Sequence, residues 1–258
     1  VTDAGAPRIV GVLKVANPAF DLVEIEAQDA AAELIHDAGA GLRASRVLRD
    51  DHGAALARTV QTSAGALHVR ILEHLEGGTL TGDAYLSPQQ VARMGDVAAS
   101  VSIALREFDS PGLDRALQWN LQYAQRVVDL LIHHAEPSKR ELVSRAAAEG
   151  PARVAALAEA LPQQAWHGDL TDDNLIRDPA TGLADGVIDF GDLARSWAVA
   201  ELAVTISSIL HHAGADTGRL GQGRGRQAGA FRQCCQDRGP LTARPRGWVA
   251  VGPAIGEL

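Results

Sequence analysis

Two short stretches carry residues whose types and spacing suit chemistry: Trp166-His-Gly-Asp-Leu-Thr-Asp-Asp-Asn174 and Val187-Ile-Asp-Phe-Gly-Asp192. Phosphoryl transfer from a nucleotide asks for a carboxylate to take the proton of the attacking hydroxyl. It also asks for oxygen ligands to magnesium, a cation on the phosphates and a slot for the base. Asp169, followed five residues later by Asn174, supplies a base and a metal ligand from one tight loop. Asp189 stands twenty residues after Asp169, at a strand end just before Gly191. A β-hairpin of that length returns Asp189 to the side of Asn174, where the two can share one magnesium ion. Asp and Asn are also ordinary turn residues, so the specificity lies in the combination.

The elements that must position these residues read as follows. Arg8–Ala16 is β-branched and apolar and stops at Asn17-Pro18, a strand ended by a turn. Asp21–Ala38 predicts a helix with a glycine stop. Leu67–Leu75 predicts a strand closed by Glu76-Gly77-Gly78, with weaker strands at Arg46–Leu48 and Ala55–Val60. Ser87 and Pro88 have the form of a helix cap and first residue, and helices are expected over Gln89–Phe108, Leu113–His134 and Lys139–Leu161. Ala165–Ile176 and Gly186–Phe190 are short strand-and-loop segments around the tight turn at Asp178–Gly182, and Ser196–His211 returns to helix. The chain thus divides into a strand-rich part over 1–76, a helical part over 77–213 with the two chemical loops, and a Gly/Arg-rich tail over 214–258.

Composition narrows the classes. The chain has 258 residues and a formal net charge of −8, which argues against a general nucleic-acid surface and suits a small substrate. Its two cysteines, Cys234 and Cys235, are adjacent and build neither a disulfide framework nor a cysteine zinc site. The longest apolar stretch, Trp197–Leu210, contains Glu201 and is too short to span a bilayer. No basic-then-apolar leader is visible at the start. A cytoplasmic protein without membrane contact is expected. His133-His134 and His211-His212 are adjacent pairs that point apart on a helix, so they read as incidental.

His167-Gly-Asp, then Asn174, then Ile188-Asp-Phe-Gly-Asp192 resembles the aminoglycoside-phosphotransferase family. Its members are distant relatives of the protein kinases, which carry an analogous histidine–x–aspartate loop and D-F-G motif. Leu13-Lys-Val-Ala-Asn-Pro18, Val69-Arg-Ile-Leu72, Phe108-Asp-Ser-Pro-Gly-Leu-Asp-Arg115 with Trp119, and Glu201-Leu-Ala203 add to the likeness. They bring it nearest to hydroxylysine-kinase-like proteins and to kinase domains fused to class III aminotransferases. The resemblance implies an α+β, protein-kinase-like fold with a small β lobe, truncated at its N-terminus, over a larger mainly helical lobe. It implies a kinase that moves a phosphoryl group from ATP or GTP, with Mg2+, to a hydroxyl of a small amine or amino acid. A fused or partner enzyme is also implied.

By the same resemblance Asp169 is the catalytic base, and Asn174 and Asp189 are the magnesium ligands. Lys14 reaches the α- and β-phosphates and is held by a helix carboxylate, Glu26, with Glu24 and Gln28 as rivals. Leu72 borders the adenine, the backbones of Glu73 and Leu75 bond it, and Gly77 lets the chain turn into the helical lobe. His167 and Glu201 brace the catalytic loop, with Gly191 in support, and Asp192 faces a second metal or the substrate. Asp172 and Asp173 beside the base suit either an ammonium-bearing substrate or solvent.

The family places two strands and a phosphate-covering loop before the lysine strand, whereas thirteen residues precede Lys14 here and no glycine-rich loop is seen. That departure keeps a second reading open, a non-catalytic kinase-fold fragment acting as a binding module. A third reading, an RNA-associated protein using the Arg/Gly tail, sits against the overall acidity.

Overall fold

The structure, a computed structural model, describes residue 9 and residues 11–212 apart from 39, 40, 64 and 84. The change of character after Gly214 and the cysteine pair lie outside the described residues.

Strand β1 (Gly11–Val15) and helix α1 (Leu22–Asp37) open the chain, followed by β2 (Arg43–Ala44), β3 (Ala57–Thr62) and β4 (Gly65–Glu73). The small lobe is the antiparallel sheet β1-β4-β3, in which Lys14 lies opposite Arg70. Strand β2 lies outside this sheet and pairs in parallel with β7 (Ala184–Val187), whose other neighbour is β6 (Leu175–Arg177). The larger lobe holds α2 (Pro88–Ala104), α3 (Ala124–Leu131), α4 (Arg140–Ala158), the antiparallel pair β5 (Gln163–Trp166) and β8 (Ala194–Trp197), and α5 (Ala198–His212). Among the described residues no helix is long and apolar enough to cross a membrane.

With aromatics scarce, small residues let elements approach closely. Ala27, Ala31, Ala32 and Ile35 of α1 join Val91, Met94, Val97, Ala98 and Val101 of α2 in the main core. Leu113, Leu170, Leu175, Val187 and Phe190 complete it, so α1 packs on the large lobe as well as under the small sheet. Capping follows the sequence: Ser87 Oγ accepts from Gln90 N at 3.1 Å with Pro88 at the first turn. At α1, Asp21 N donates to Glu24 Oε2 at 2.9 Å. Gly77, at φ +126°, carries the crossing between lobes, and a Cβ there would lie 1.7 Å from the Arg177 carbonyl oxygen. Glycine is required by both the conformation and the space.

Two expectations change. The helix over Leu113–His134 is confined to α3; 3-10 turns at Pro111–Leu113 and Leu121–Tyr123 precede it. Buried Asn120 explains the break. Its side chain accepts from Gln122 N (3.1 Å) and Ser196 Oγ (2.9 Å) and donates to Arg195 O (3.0 Å). The segment is thereby pinned to β8 instead of coiling. The helix expected from Ser196 begins at Ala198, because Ala194–Trp197 pairs with β5 first.

Candidate active site

The catalytic loop leaves β5 after Trp166 and enters β6 after Asn174. His167 is fully buried, and three bonds lock it. Its N–H donates to Glu201 Oε2 at 2.6 Å, its Nε2 meets the Ile188 carbonyl at 3.0 Å, and its Nδ1 accepts from Asp169 N at 3.3 Å. A carbonyl only accepts, so Nε2 carries the proton. Burial pushes the imidazole down to about 4, keeping it neutral at pH 7. The edge of its ring packs against Phe190, 4.8 Å between centroids. Gly168 sits at φ +86°, where a Cβ would lie 2.7 Å from the Asp192 carbonyl oxygen. Glu201 is buried too; burial pushes its carboxyl up to about 7 against the pull of the His167 and Gly168 N–H groups. His167 and Glu201 therefore tie the His167–Asn174 loop, the end of the hairpin at Ile188 and α5 together.

A neutral buried histidine has a pH consequence. Its proton affinity is lower folded than the ordinary 6.5. The stability it contributes is fully present above 6.5 and is lost as pH falls toward 4. Glu201 moves oppositely, its contribution fading as pH rises from 4.5 toward 7, and is common to wild type and variant. The expected result is that wild type loses more stability than His167→Gln between pH 7 and pH 4.5, measured by urea unfolding.

Asn174 donates its amide to both Asp169 O (2.9 Å) and Asp169 Oδ2 (2.6 Å). Its Nδ2 is thereby committed to Asp169, whose carboxylate also takes a hydrogen bond from the Thr171 side chain. Burial, then the nearby Asp192 carboxylate, push Asp169 up to about 6. The hairpin closes as its length suggests: Leu175 pairs with Val187, and Ile188 N donates to Asn174 O at 3.1 Å. Asp189 follows at φ +57°, the one non-glycine residue with positive φ among those described. Its Oδ1 accepts from Gly191 N at 3.1 Å and from Lys14 Nζ at 2.6 Å. A strained backbone held by its own side chain is typical of functional sites.

Lys14 and Asp189 stand where two hollows meet. One, of about 290 Å³, carries charged groups and includes Asp169, Asp192, Gly191, Gln28 and Arg70. The other, of about 500 Å³, is lined by Val12, Leu13, Leu72, Leu75, Ile176 and Ile188, with Glu73 at its side. A flat aromatic base fits an apolar slot beside a charged hollow.

Two expected details differ. Glu26 is exposed and is not brought to Lys14. Ile25, Ala27, Gln28, Ala31 and Ala32 form the buried face of α1, which turns Glu26 outward. Of its rivals, Glu24 pairs with Arg115, and Gln28 accepts from Arg70, which also pairs with Asp29. Asp29, absent from the sequence-based set, is the α1 carboxylate paired with Arg70, and burial pushes it above its ordinary value. Glu73 is already engaged: its N–H donates to Arg46 O at 2.7 Å and its carbonyl accepts from Ser45 Oγ at 2.7 Å. Only the second lone pair of that carbonyl is left for a base. The acidic pair is also engaged, Asp172 by Ser208 and Asp173 by Thr81.

Comparison with known proteins matches residues 3–241 to the phosphotransferase enzyme family. Hydroxylysine kinase of Mus musculus is 26% identical over 153 residues, which is 55% of this chain and 40% of that protein. The match thus spans less than half the length of that relative. Amicoumacin kinase, solved with AMP-PNP, Ca2+ and Ami, superposes with a TM-score of 0.63 at 14% identity, over 86% of this chain and 66% of its own. An aminoglycoside phosphotransferase of Streptomyces rimosus, solved with ADP and streptomycin, gives 0.58 at 22% identity, over 92% and 82%. A microcompartment-associated aminopropanol kinase gives 0.54 at 18%, over 92% and 70%. The α+β architecture is therefore the kinase-like one.

Proposed function

The chain belongs to the phosphotransferase enzyme family, and from that premise we propose that its cleft transfers the γ-phosphoryl group of ATP or GTP to a hydroxyl of a small amine or amino-acid-like substrate. The observation that carries the proposal is one junction. Lys14 Nζ and Asp189 Oδ1, 175 residues apart in sequence, meet at 2.6 Å where the apolar slot opens into the hollow holding Asp169. That junction supports a reading in which a nucleotide puts its base in the slot and its phosphates over Lys14, with Asp189 as the metal-binding carboxylate and Asp169 as the general base.

The donor set suits magnesium. Asn174, its Nδ2 committed to Asp169, offers Oδ1; Asp189 offers a carboxylate. Among the described residues no cluster of three or more His, Cys, Asp or Glu is arranged to hold a metal alone. Magnesium commonly takes one or two protein oxygens and completes its shell with phosphates and water. When bound, it would neutralise charge on the β- and γ-phosphates. Lys14 Nζ, which pairs with Asp189 at 2.6 Å, would turn to the phosphates of a bound nucleotide.

In the reaction, Asp169 Oδ1 accepts the proton of the substrate hydroxyl. The new bond joins the substrate's hydroxyl oxygen to the γ-phosphorus, and the bond from that phosphorus to the β–γ bridging oxygen breaks, releasing the nucleoside diphosphate. Asp192, facing the same hollow as Asp169, supports a cationic substrate, as do the amine substrates named for the structural neighbours. The acceptor follows the family as a hydroxyl group.

The test is a thermal melt with MgATP and with MgGTP. A ligand at 100 times its dissociation constant adds about 2.7 kcal/mol, a rise of several degrees in a chain this long. A melt unmoved by either nucleotide would leave the binding-module reading in its place.

A further inference from the structure

Arg115 has no role in the site described so far, yet one side chain reaches both halves of it. Its guanidinium lies over the Phe20 ring, 4.6 Å from the centroid. Its Nε pairs with Glu24 Oε1 at 3.2 Å, with exposures of only 14% and 16%. Its Nη1 donates to the Gly191 carbonyl at 3.0 Å. Phe20 and Glu24 belong to the entrance and first turn of α1, whereas Gly191 belongs to the metal-motif loop.

Each partner is itself fixed to something that matters. Glu24 uses its second oxygen to cap α1 through Asp21 N. Gly191 is gripped at both ends, its N–H on Asp189 Oδ1 and its carbonyl on Arg115. The loop that carries Arg115 is anchored in turn. Gly112 approaches α1 so closely that a Cβ would lie 2.4 Å from the Val23 carbonyl oxygen, and Leu113 is fully buried in the core. Asp109 and Asp114 hold Arg195 of β8 at 2.6 and 3.3 Å. A mobile surface arginine would gain little from such contacts, but a screened, stacked and multiply bonded one is a rigid strut. Arginine suits the task because its planar fork stacks, pairs with a carboxylate and donates to a carbonyl at once; an ammonium does not.

We infer that Arg115 is a positioning residue that ties the Gly191–Asp192 loop to α1, and so holds Asp189 in the left-handed conformation from which its carboxylate would bind magnesium. The inference rests on the phosphoryl-transfer reading of the cleft. It places the control of metal binding in a contact between the loop after α2 and the first turn of α1.

The test compares wild type with Arg115→Ala, Arg115→Lys and Glu24→Gln. Nucleotide binding is measured by calorimetry without magnesium and across a magnesium titration, with ATP and GTP as the probes. Loss of a group that orients a metal ligand typically lowers metal affinity by about 10- to 100-fold. Arg115→Ala should therefore need roughly tenfold more magnesium for half-maximal binding while metal-free nucleotide affinity stays within about twofold. Arg115→Lys should fall between, because a lysine restores the charge without the fork. Glu24→Gln keeps one oxygen for Arg115 but loses the acceptor for Asp21 N, so its magnesium dependence should stay near wild type while its melting temperature falls. A magnesium dependence shifted as far as in Arg115→Ala would trace the effect to the α1 cap and overturn the inference. Added methylguanidinium should recover part of the loss in Arg115→Ala and do nothing to wild type. A folded Arg115→Ala with unchanged magnesium dependence, or one that loses metal-free and metal-bound affinity equally, overturns the inference. If Arg115→Ala does not fold, the same comparison on Arg115→Lys decides, and an unchanged magnesium dependence there overturns it. A wild type that binds neither nucleotide at any magnesium concentration removes the phosphoryl-transfer reading and this inference with it, whereas a wild type that binds isolates the failure to Arg115.

Discussion

Asp169→Asn lowers turnover by roughly 10²- to 10⁴-fold, the usual worth of a positioned general base, and leaves nucleotide affinity nearly unchanged. The substitution is nearly isosteric. The Asn174 amide that bonds Asp169 Oδ2 at 2.6 Å still finds an oxygen to donate to, and the Asp169 N–H stays on His167 Nδ1. What disappears is the ability to take a proton from a hydroxyl at Oδ1. The base slot lies away from this residue, among Leu72, Leu75, Ile176 and Ile188, so binding has no reason to change. Steady-state rates beside calorimetric affinities check both halves. Turnover within tenfold of wild type would take Asp169 out of the base role, and equal losses in rate and affinity would point to a collapsed loop.

Asp189→Ala abolishes the magnesium-dependent part of nucleotide binding. At 100 times the wild-type dissociation constant the expected loss is the whole stabilisation of about 2.7 kcal/mol. Three effects converge on this residue. The metal loses a carboxylate ligand, Lys14 loses the group that holds it at 2.6 Å, and Gly191 N loses its acceptor. The backbone adds a fourth, since φ +57° is tolerated by Asp better than by most non-glycine residues. The unliganded variant should therefore melt lower as well. Asp189→Asn separates the causes, because it keeps the backbone conformation and the Gly191 bond while removing the charge. Melts with and without MgATP on the three proteins check this. A ligand-induced rise that survives in Asp189→Ala would mean that the metal is held elsewhere.

Much of the site was legible because its parts are local. A histidine, an aspartate and an asparagine within one loop, and an aspartate at the end of the hairpin that follows, are brought together by a single turn, and pairing of Leu175 with Val187 follows from that spacing. The Ser87 cap and the Gly77 crossing were legible for the same reason. The features that were missed depend on partners far along the chain. Which residues of α1 turn inward depends on Arg70, a strand residue that bonds Gln28, Asp29 and, 45 residues back along the chain, the Ile25 carbonyl, and an alanine-rich helix shows too weak an apolar stripe to reveal its inner face. The segment after Leu113 looks helical by composition, but Asn120 gives its polar atoms to β8 and holds it off. Arg115 read only as part of a resemblance, and its three contacts appear once α1 and the Gly191 loop are side by side.

The most direct test of the central claim is product formation. Wild type is incubated with magnesium and ATP or GTP, together with a panel of hydroxylated amines and amino acids such as hydroxylysine and homoserine, and phosphorus-31 NMR follows the γ-phosphate. The account predicts a phosphate monoester on the hydroxyl of at least one small cationic substrate, formed by wild type and absent with Asp169→Asn. Nucleotide that binds and stabilises the protein, yet is transferred to none of these acceptors at any magnesium concentration, would contradict it and leave a nucleotide-binding module in the kinase fold.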